Sequence, residues 1–236
     1  MDYQRVSDAG HVLTTEAALK HWDRRRPSTS HSSLELQSIS QISARIDAMM
    51  RAVIWMEQRG LDVNADHLLD VGAATGYGLW QFLLSGFPIG HLHGIDLFAD
   101  RISEGLSRTP GLDLRLGDAT AMPYKDGEFG LVCEQFCFCH IPDDAAKVKI
   151  AAEMMRVSGK FILLQDWRLG SASRSLYGLS PRRIREWFPG WRVSRRFRSQ
   201  LWPPVGRPLS LFAPLLYDLF RMVNPLVGSW ITVLEK

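Results

Sequence analysis

Short apolar runs alternate with stretches of helical spacing along most of the chain, which is the pattern of strands and helices in a parallel α/β sheet. The apolar runs predict strands at residues 67–71, 91–95, 112–116, 129–134, 160–165, 192–198 and 230–234. The helical stretches predict helices at residues 33–59, 76–85, 99–107, 143–155, 181–187 and 210–223. We therefore expect the α/β class, as a Rossmann-like sheet of seven mostly parallel strands with helices on both faces.

Helical additions are expected at both ends of this sheet. Residues 1–60 predict an N-terminal helical cap or lid, and residues 61–236 the main domain, with a helical insertion at 201–228 that binds substrate or forms an interface. The apolar residues of segment 209–224 follow one helical face, but Pro214 interrupts the segment too early for a membrane span. We expect this segment to contact a substrate, a second copy in a homodimer or a membrane surface, or to pack into the core.

The net charge of +3 conceals two regions of opposite sign. Residues 1–167 hold 16 basic and 22 acidic side chains, whereas residues 168–236 hold 12 basic and 3 acidic ones. A basic surface attracts phosphates, nucleic acid or an anionic membrane, although arginines that cover apolar surface give the same composition. The 46% of hydrophobic and 22% of charged residues are ordinary for a globular protein and exclude a disordered or fibrous class.

The start of the chain and its cysteines predict a cytoplasmic protein. The first ten residues lack the apolar run of a secretory signal, and the three cysteines fit reduced thiols better than a disulfide framework. The order Cys133, Cys137, Cys139, His140 is also compatible with zinc ligation, but a loop predicted after Phe136 breaks the shared strand face. No metal site is expected.

A glycine-rich turn follows the first predicted strand, in the segment LLDVGAATGYGLW at residues 68–80. Open α/β sheets bind ligands at such strand-to-helix junctions, and glycine lets the backbone come close to the ligand. The glycines are spaced G-x-x-x-G-x-G, which does not match the G-x-G-x-x-G of dinucleotide-binding proteins. This segment alone predicts an adenosine-type ligand.

In register with that turn, further motifs resemble those of the class I S-adenosylmethionine-dependent methyltransferases. Asp70, Gly72 and Gly76 are similar to the family's first motif, D/E-x-G-x-G-x-G, in which Ala74 replaces the middle glycine. Asp96 ends the second predicted strand, where the family carries an acidic residue for the ribose hydroxyls. The resemblance implies that these residues bind S-adenosyl-L-methionine and release S-adenosyl-L-homocysteine.

The resemblance extends over about residues 65–166 and implies more cofactor contacts at the ends of the second, third and fourth strands. These are Leu97, Asp118, Ala119, Glu134, Gln135 and Phe136. In the family, a carboxylate placed like Asp118 accepts from the adenine amino group, and the backbone of the next residue meets the ring. The residues after the fourth strand are expected to line the pocket over the reactive methyl group.

His140 and Asp166 resemble active-site residues of small-molecule and sugar O-methyltransferases. An imidazole with a pKa near 6.5 suits a general base, and Asp166 would orient it or bind the acceptor hydroxyl. The alternative for His140 is a structural role, as a helix cap or a packed side chain. The expected reaction is transfer of a methyl group to a hydroxyl of a sugar, a glycan-linked lipid or a secondary metabolite.

Other acceptors and a non-catalytic role stay open at this point. N- or C-methylation of a metabolite, RNA methylation and a cofactor-binding module without activity are the alternatives. The segment from Glu134 to Cys137 lacks the D/N-P-P-Y/F motif of nucleobase methyltransferases, so a small-molecule partner is expected rather than nucleic acid. Trp22, Tyr77 and Trp167 are candidate substrate contacts. Arg45 either reaches the methionine carboxylate or faces solvent.

Overall fold

The computed structural model describes residues 36–167, 178–202, 205–206, 208–209 and 214–236. Within these residues the helices are α1 (Leu36–Glu57), α2 (Trp80–Leu84), α3 (Ala99–Arg108), α4 (Asp144–Val157), α5 (Pro181–Trp187) and α6 (Pro214–Arg221). The strands are β1 (Leu68–Val71), β2 (Leu92–Asp96), β3 (Asp113–Leu116), β4 (Phe129–Gln135), β5 (Ser158–Trp167), β6 (Arg192–Arg198) and β7 (Ser229–Glu235). Trp22 and the predicted cap before residue 36 lie outside the described residues.

The strands form one sheet in the order β3-β2-β1-β4-β5-β7-β6. The first five strands pair in parallel, whereas β7 lies antiparallel between β5 and β6. This arrangement confirms the predicted seven-stranded, mostly parallel α/β fold. The chain runs outward from β1 to β3 and returns to β4 beside β1, so the carboxyl ends of β1 and β4 border the crevice where open sheets bind ligands.

Apolar layers cover both faces of the sheet. On one face, Met49, Val53 and Met56 of α1 are buried in the core. On the other face, α4 contributes Ile150 and Met154. Burial of such a side chain stabilises the fold by about 1.5–3 kcal/mol, so α1 contributes to the same core as the sheet. The domain boundary expected at residue 60 stays a prediction.

The helix predicted at residues 76–85 begins later than its apolar pattern indicates. A short 3₁₀ turn, Tyr77–Leu79, precedes α2, and Gly76 has a φ of 72° in the left-handed region. The Cβ of any larger residue at 76 would lie 2.9 Å from a methyl carbon of Leu112. Gly76 therefore allows both the turn and its close packing against the segment before β3.

Helix α6 lies against α1 and exposes apolar side chains. The Tyr217 hydroxyl accepts from the Leu201 amide over 3.1 Å, and Arg221 pairs with Asp47 over 3.0 Å. Leu215 and Leu219 project outward and are exposed. In the described part of the chain, every helix is too short or too polar to cross a membrane. Substrate, dimer or membrane-surface contact through 209–224 stays a prediction.

Candidate active site

A cavity of about 250 Å³ opens at the carboxyl ends of the strands around β1 and β4. It brings together nine of the residues that the motifs predicted for the site. These are Gly72, Ala74, Asp96, Leu97, Asp118, Ala119, Gln135, Phe136 and His140. The residues are separated by up to 68 positions in the sequence, and the strand order places them around one space.

Other residues line this cavity although no motif singled them out. They are Ile95, Phe98, Arg101, Gly117, Thr120, Cys137, Ile141, Ala146 and Ile150. Some of them could have been predicted from their position in the sequence, because Phe98 and Arg101 closely follow the acidic end of β2. Ala146 and Ile150 lie four residues apart on one face of α4, so they reach the same space.

The loop after β1 is tightly enclosed. Gly72 has a φ of 75°, and a Cβ at this position would lie 2.5 Å from the Cys137 sulfur. On the other side, a Cβ on Gly105 of α3 would lie 2.5 Å from the carbonyl oxygen of Thr75. Between them, Ala74 adopts a φ of 49°, a left-handed conformation that favours glycine. The glycine that the family's motif carries at this position would adopt the same conformation without strain.

Asp96 holds this loop through its side chain. Its Oδ2 accepts from the Ala74 amide over 2.8 Å, and its Oδ1 accepts from the Phe98 amide over 3.0 Å. Burial raises the pKa of Asp96, and the two amide hydrogen bonds oppose that rise. Each carboxylate oxygen has a second acceptor position, so the side chain retains capacity for a pair of ribose hydroxyls.

Asp118 and Ala119 lie at the next strand end and also line the cavity. The Asp118 Oδ1 accepts from the Thr120 amide over 2.8 Å, which closes a short turn after β3. The turn directs the backbone of residues 118–120 along the cavity wall. This placement agrees with the predicted adenine contact, which stays a prediction.

Asp70 lies beneath the cavity and is buried. Its carboxylate accepts from the Gln135 Nε2 over 3.3 Å and from the Cys133 thiol over 3.4 Å. Burial raises the pKa of Asp70 to about 7. Gln81 donates to Gln135 over 3.0 Å, so Asp70 and Gln81 together fix a side chain that lines the cavity. This support by Gln81 has no motif in the sequence.

Glu134 is fully buried, and its carboxylate faces the loop after β4. Its Oε2 accepts from the Cys137 amide over 3.0 Å and from the Phe138 amide over 3.4 Å. Burial raises the pKa of Glu134 well above its ordinary value, and the nearby Asp166 adds to the rise. Glu134 therefore holds the loop backbone, and the predicted cofactor contact from this residue stays a prediction.

Asp166 holds the same loop from β5. Its Oδ2 accepts from the Cys139 amide over 2.8 Å, and its Oδ1 accepts from its neighbour Trp167 over 2.6 Å. Burial raises the pKa of this carboxyl group. The sequence suggested that Asp166 orients His140 directly or binds a hydroxyl. In the structure it is bonded to the residue before His140, and it lines a second cavity beside the first.

His140 ends the short 3₁₀ turn Phe138–His140 and faces the first cavity. Its amide donates to the Cys137 carbonyl over 3.0 Å. Next to it, Phe136 has a φ of 59°, which is rare for a bulky residue, and its ring lies 5.4 Å from that of Trp167. His140 and Phe136 thus line the side of the cavity where an acceptor is expected, and Trp167 packs against Phe136.

Tyr77 and Arg45 lie near the other end of the glycine-rich loop. Tyr77 is 48% exposed, and the guanidinium carbon of Arg45 lies 5.3 Å from its ring centre. Burial lowers the pKa of Arg45, whose Nε has no hydrogen-bond partner among the described residues. Arg45 is thus partly buried, and neither of the two expectations from the sequence is settled by this position. Its contact with a methionine carboxylate stays a prediction.

The cysteines near the site are free thiols. The Cys139 thiol donates to the Phe136 carbonyl over 3.3 Å, while Cys137 packs beside Gly72. Burial raises the thiol pKa of Cys133, Cys137 and Cys139, which keeps all three in the unreactive protonated form. These side chains therefore fill space as small apolar groups.

Comparison with known proteins agrees with this geometry. Residues 69–163 match the family model described as a methyltransferase domain. The chain is 31% identical over 169 residues to ajmaline N-methyltransferase of Rauvolfia serpentina, covering 67% of this chain and 54% of the relative. It is 29% identical over 129 residues to demethylmenaquinone methyltransferase of Halalkalibacterium halodurans, covering 51% of this chain and 48% of the relative. The chain thus spans about half the length of these curated relatives.

Among solved structures, the fold is similar to magnesium protoporphyrin IX methyltransferase from Synechocystis PCC 6803 with bound SAM. The TM-score is 0.61 at 12% sequence identity, covering 99% of this chain and 100% of that chain. The match over residues 69–163 supports the predicted methyltransferase class and its cofactor, S-adenosylmethionine, and the solved structure shows the same fold. The name of the first curated relative specifies nitrogen as the acceptor, whereas the motifs here resemble enzymes that methylate hydroxyl groups.

Proposed function

We propose that this chain, whose residues 69–163 match the methyltransferase domain model, transfers a methyl group from S-adenosylmethionine to a hydroxyl of a small molecule. The observation that carries the proposal is the convergence of Asp96, Asp118 and His140 on one cavity. Two of these are carboxylates suited to hydroxyl and amino groups of a nucleoside, and the third is an imidazole, which can accept a proton.

The residues present suit the cofactor. Asp96 would accept from the ribose hydroxyls, and Asp118 with Ala119 would meet the adenine. Gly72 leaves room at the loop for the methionine part, because a side chain there would collide with Cys137. The bound sulfonium supplies a methyl group that is already activated for transfer. The protein then has to align the acceptor and exclude water.

His140 would take the proton of the acceptor hydroxyl as its oxygen attacks the methyl group. The imidazole sits on a turn whose backbone amides are held by Glu134 and Asp166. These two buried carboxyls therefore position the turn that carries His140. The rings of Phe136 and Trp167 would shield the reacting atoms from water and contact an apolar acceptor.

Methylation of an amine is the second candidate. It is favoured by the similarity to ajmaline N-methyltransferase, which covers 67% of this chain. An amine attacks through its lone pair, so His140 would only need to remove a proton from the ammonium form. C-methylation is a third candidate from the sequence, and the similarity to demethylmenaquinone methyltransferase, over 51% of this chain, adds a relative whose name does not specify nitrogen.

Two measurements test the proposal in sequence. Calorimetry with S-adenosylhomocysteine should show saturable binding to the wild-type protein, and its absence would remove the enzyme hypothesis. The protein is then incubated with methyl-labelled S-adenosylmethionine and matched acceptors that differ only in carrying a hydroxyl or an amine. Label in the hydroxyl member of each pair supports the proposal, whereas label in the amine members alone establishes the second candidate.

A further inference from the structure

A second cavity of about 370 Å³ lies between α5 and the strands β5, β7 and β6. The proposed methyl transfer makes no use of it, and no sequence motif predicted it. Its walls combine apolar side chains with three polar groups of different kinds: the Arg196 guanidinium, the Asp166 carboxyl and the Thr232 hydroxyl. The space is large enough for a small organic molecule.

Arg196 brings a positive charge to this cavity. Within the described residues, no carboxylate forms an ion pair with Arg196, and the charged group that acts on it most is another cation, Arg185 of α5. Partial burial lowers the pKa of Arg196, and much of the residue stays exposed, so an anion from solution can reach its guanidinium.

Asp166 faces the cavity from the opposite side. Both of its oxygens accept backbone amides, and burial raises the pKa of its carboxyl group. The neutral form that burial favours would not repel an anion at Arg196 and would offer it a hydrogen-bond donor. Thr232 is buried beside them and adds a hydroxyl.

The remaining wall suits an apolar or aromatic body. Leu164, Leu179 and Ile184 present aliphatic surface, and the indole of Trp230 closes one side. A guanidinium binds carboxylate and phosphate groups through paired hydrogen bonds, and a flat apolar wall binds the carbon skeleton that carries them. Since Asp166 also holds the amide of Cys139, the cavity directly borders the turn that presents His140.

We propose that this second cavity binds a small organic acid, with its carboxylate or phosphate group on Arg196 and its apolar body against Trp230. Two sources share this chemistry: the methyl acceptor itself and a separate effector molecule. Assignment to the acceptor rests on the proposed function, whereas the binding of the acid does not.

Titration with phenyl phosphate and with benzoate, followed by calorimetry, tests the binding step. The wild type should bind at least one of them saturably, and Arg196→Gln should weaken that binding by about 10- to 100-fold, the loss expected for one charge-assisted contact. Arg195→Gln is the matched control, because it removes the same charge from a neighbouring exposed position that pairs with Val233 and does not line the cavity. Arg196→Lys should retain part of the affinity if charge is what matters.

Equal binding by wild type and Arg196→Gln, or no saturable binding of either acid to the wild type, overturns the proposal. Thermal unfolding of each variant shows whether a loss of binding reflects a loss of folding. S-adenosylhomocysteine affinity, measured on the same samples, separates this result from the methyltransferase proposal. A chain that binds S-adenosylhomocysteine but neither acid loses only the acid site, and the reverse result removes only the methyltransferase activity.

A final comparison distinguishes the two sources. The protein is given 4-hydroxybenzoate or its methyl ester together with labelled S-adenosylmethionine. Label in the acid alone, abolished by Arg196→Gln, identifies the cavity as part of the acceptor site. Binding of the acid without label, accompanied by a changed S-adenosylhomocysteine affinity, identifies an effector site.

Discussion

The backbone amide of Ala74 donates to the Asp96 carboxylate over 2.8 Å, so the acidic end of β2 fixes the loop after β1. The same carboxylate is the predicted ligand of the ribose hydroxyls. Asp96 therefore couples the shape of the glycine-rich loop to cofactor binding, and a substitution at either residue should affect both.

Replacing Asp96 with Ala should weaken S-adenosylhomocysteine binding by roughly 1.5–3 kcal/mol for each charge-assisted hydrogen bond lost. Asp96→Asn keeps one oxygen acceptor and should lose less affinity. Isothermal titration calorimetry measures both variants, with Asp100→Ala as a control, because Asp100 is an exposed residue in the first turn of α3. Wild-type affinity in Asp96→Ala would show that Asp96 is not the acidic residue that binds the ribose hydroxyls.

At position 74, glycine should be tolerated and valine should not. Ala74 has a φ of 49°, where a left-handed conformation costs a residue with a side chain about 1–2 kcal/mol and a β-branched residue more. Ala74→Gly should bind S-adenosylhomocysteine at least as well as the wild type, while Ala74→Val should bind more weakly and unfold at a lower temperature. Calorimetry and thermal unfolding report the two effects, and equal behaviour of the two variants would contradict this account of the loop.

Replacing His140 with Ala should lower turnover by about 10²- to 10⁴-fold while cofactor affinity stays close to that of the wild type. His91→Ala is a suitable control, since His91 precedes β2 at the opposite end of the sheet. The measurement is initial rate with a saturating acceptor, alongside calorimetry of the cofactor. Unchanged turnover in His140→Ala would assign this residue a structural role.

Gly72→Ala should destabilise the protein more than Gly60→Ala does. Both glycines have positive φ values, 75° and 99°, so alanine suffers backbone strain at either site. A Cβ at 72 would also meet the Cys137 sulfur at 2.5 Å, whereas nothing lies within 4 Å at position 60. The difference in unfolding free energy from denaturant titration should be about 1–3 kcal/mol, the typical cost of overpacking.

The stability of the protein should fall in acid partly because of His67. Its ring nitrogen lies 2.7 Å from that of His93, and burial together with the two neighbouring imidazoles lowers the pKa of His67 below 6.5. The unfolded chain therefore binds the proton more tightly than the folded chain. Stability from this group is present above pH 6.5 and is lost as the pH falls through 6.5 toward the lowered folded-state pKa.

His67→Gln removes this titration and keeps a polar side chain next to His93. The drop in melting temperature between pH 8 and pH 5.5 should be smaller in the variant than in the wild type. All other titrating groups are common to both proteins, so the comparison isolates His67. Equal drops would exclude this histidine as a source of acid sensitivity.

The sequence was sufficient for the sheet and for the residues around the first cavity because both depend on local patterns. Each predicted strand is confirmed with ends shifted by at most two residues. The motif positions from Gly72 to His140 follow strand ends, and parallel strands bring those ends to one edge. Where glycine altered the local geometry, at residue 76, the helix began later than its apolar pattern indicated.

The hydrogen-bond partners of the buried carboxyl groups could not be predicted from the sequence. Glu134 and Asp166 look like site residues in a linear motif, yet each is bonded to backbone amides of the turn that carries His140. Which amides a buried acid meets depends on the path of a loop, and no residue pattern encodes that path. The cavity lined by Arg196 could not be predicted from the sequence for a related reason, since it forms only when β7 pairs with both β5 and β6.

That placement of β7 has a consequence for the newly made protein. The ribosome completes β5 and β6 before it makes the residues that join them, so both strands wait without this partner. During that interval the apolar edge from Phe161 to Leu164 presents unpaired backbone groups to other nascent chains. The time between synthesis of β5 and release of β7 is therefore when aggregation competes most strongly with folding, and the yield in expression should depend on translation speed over that interval.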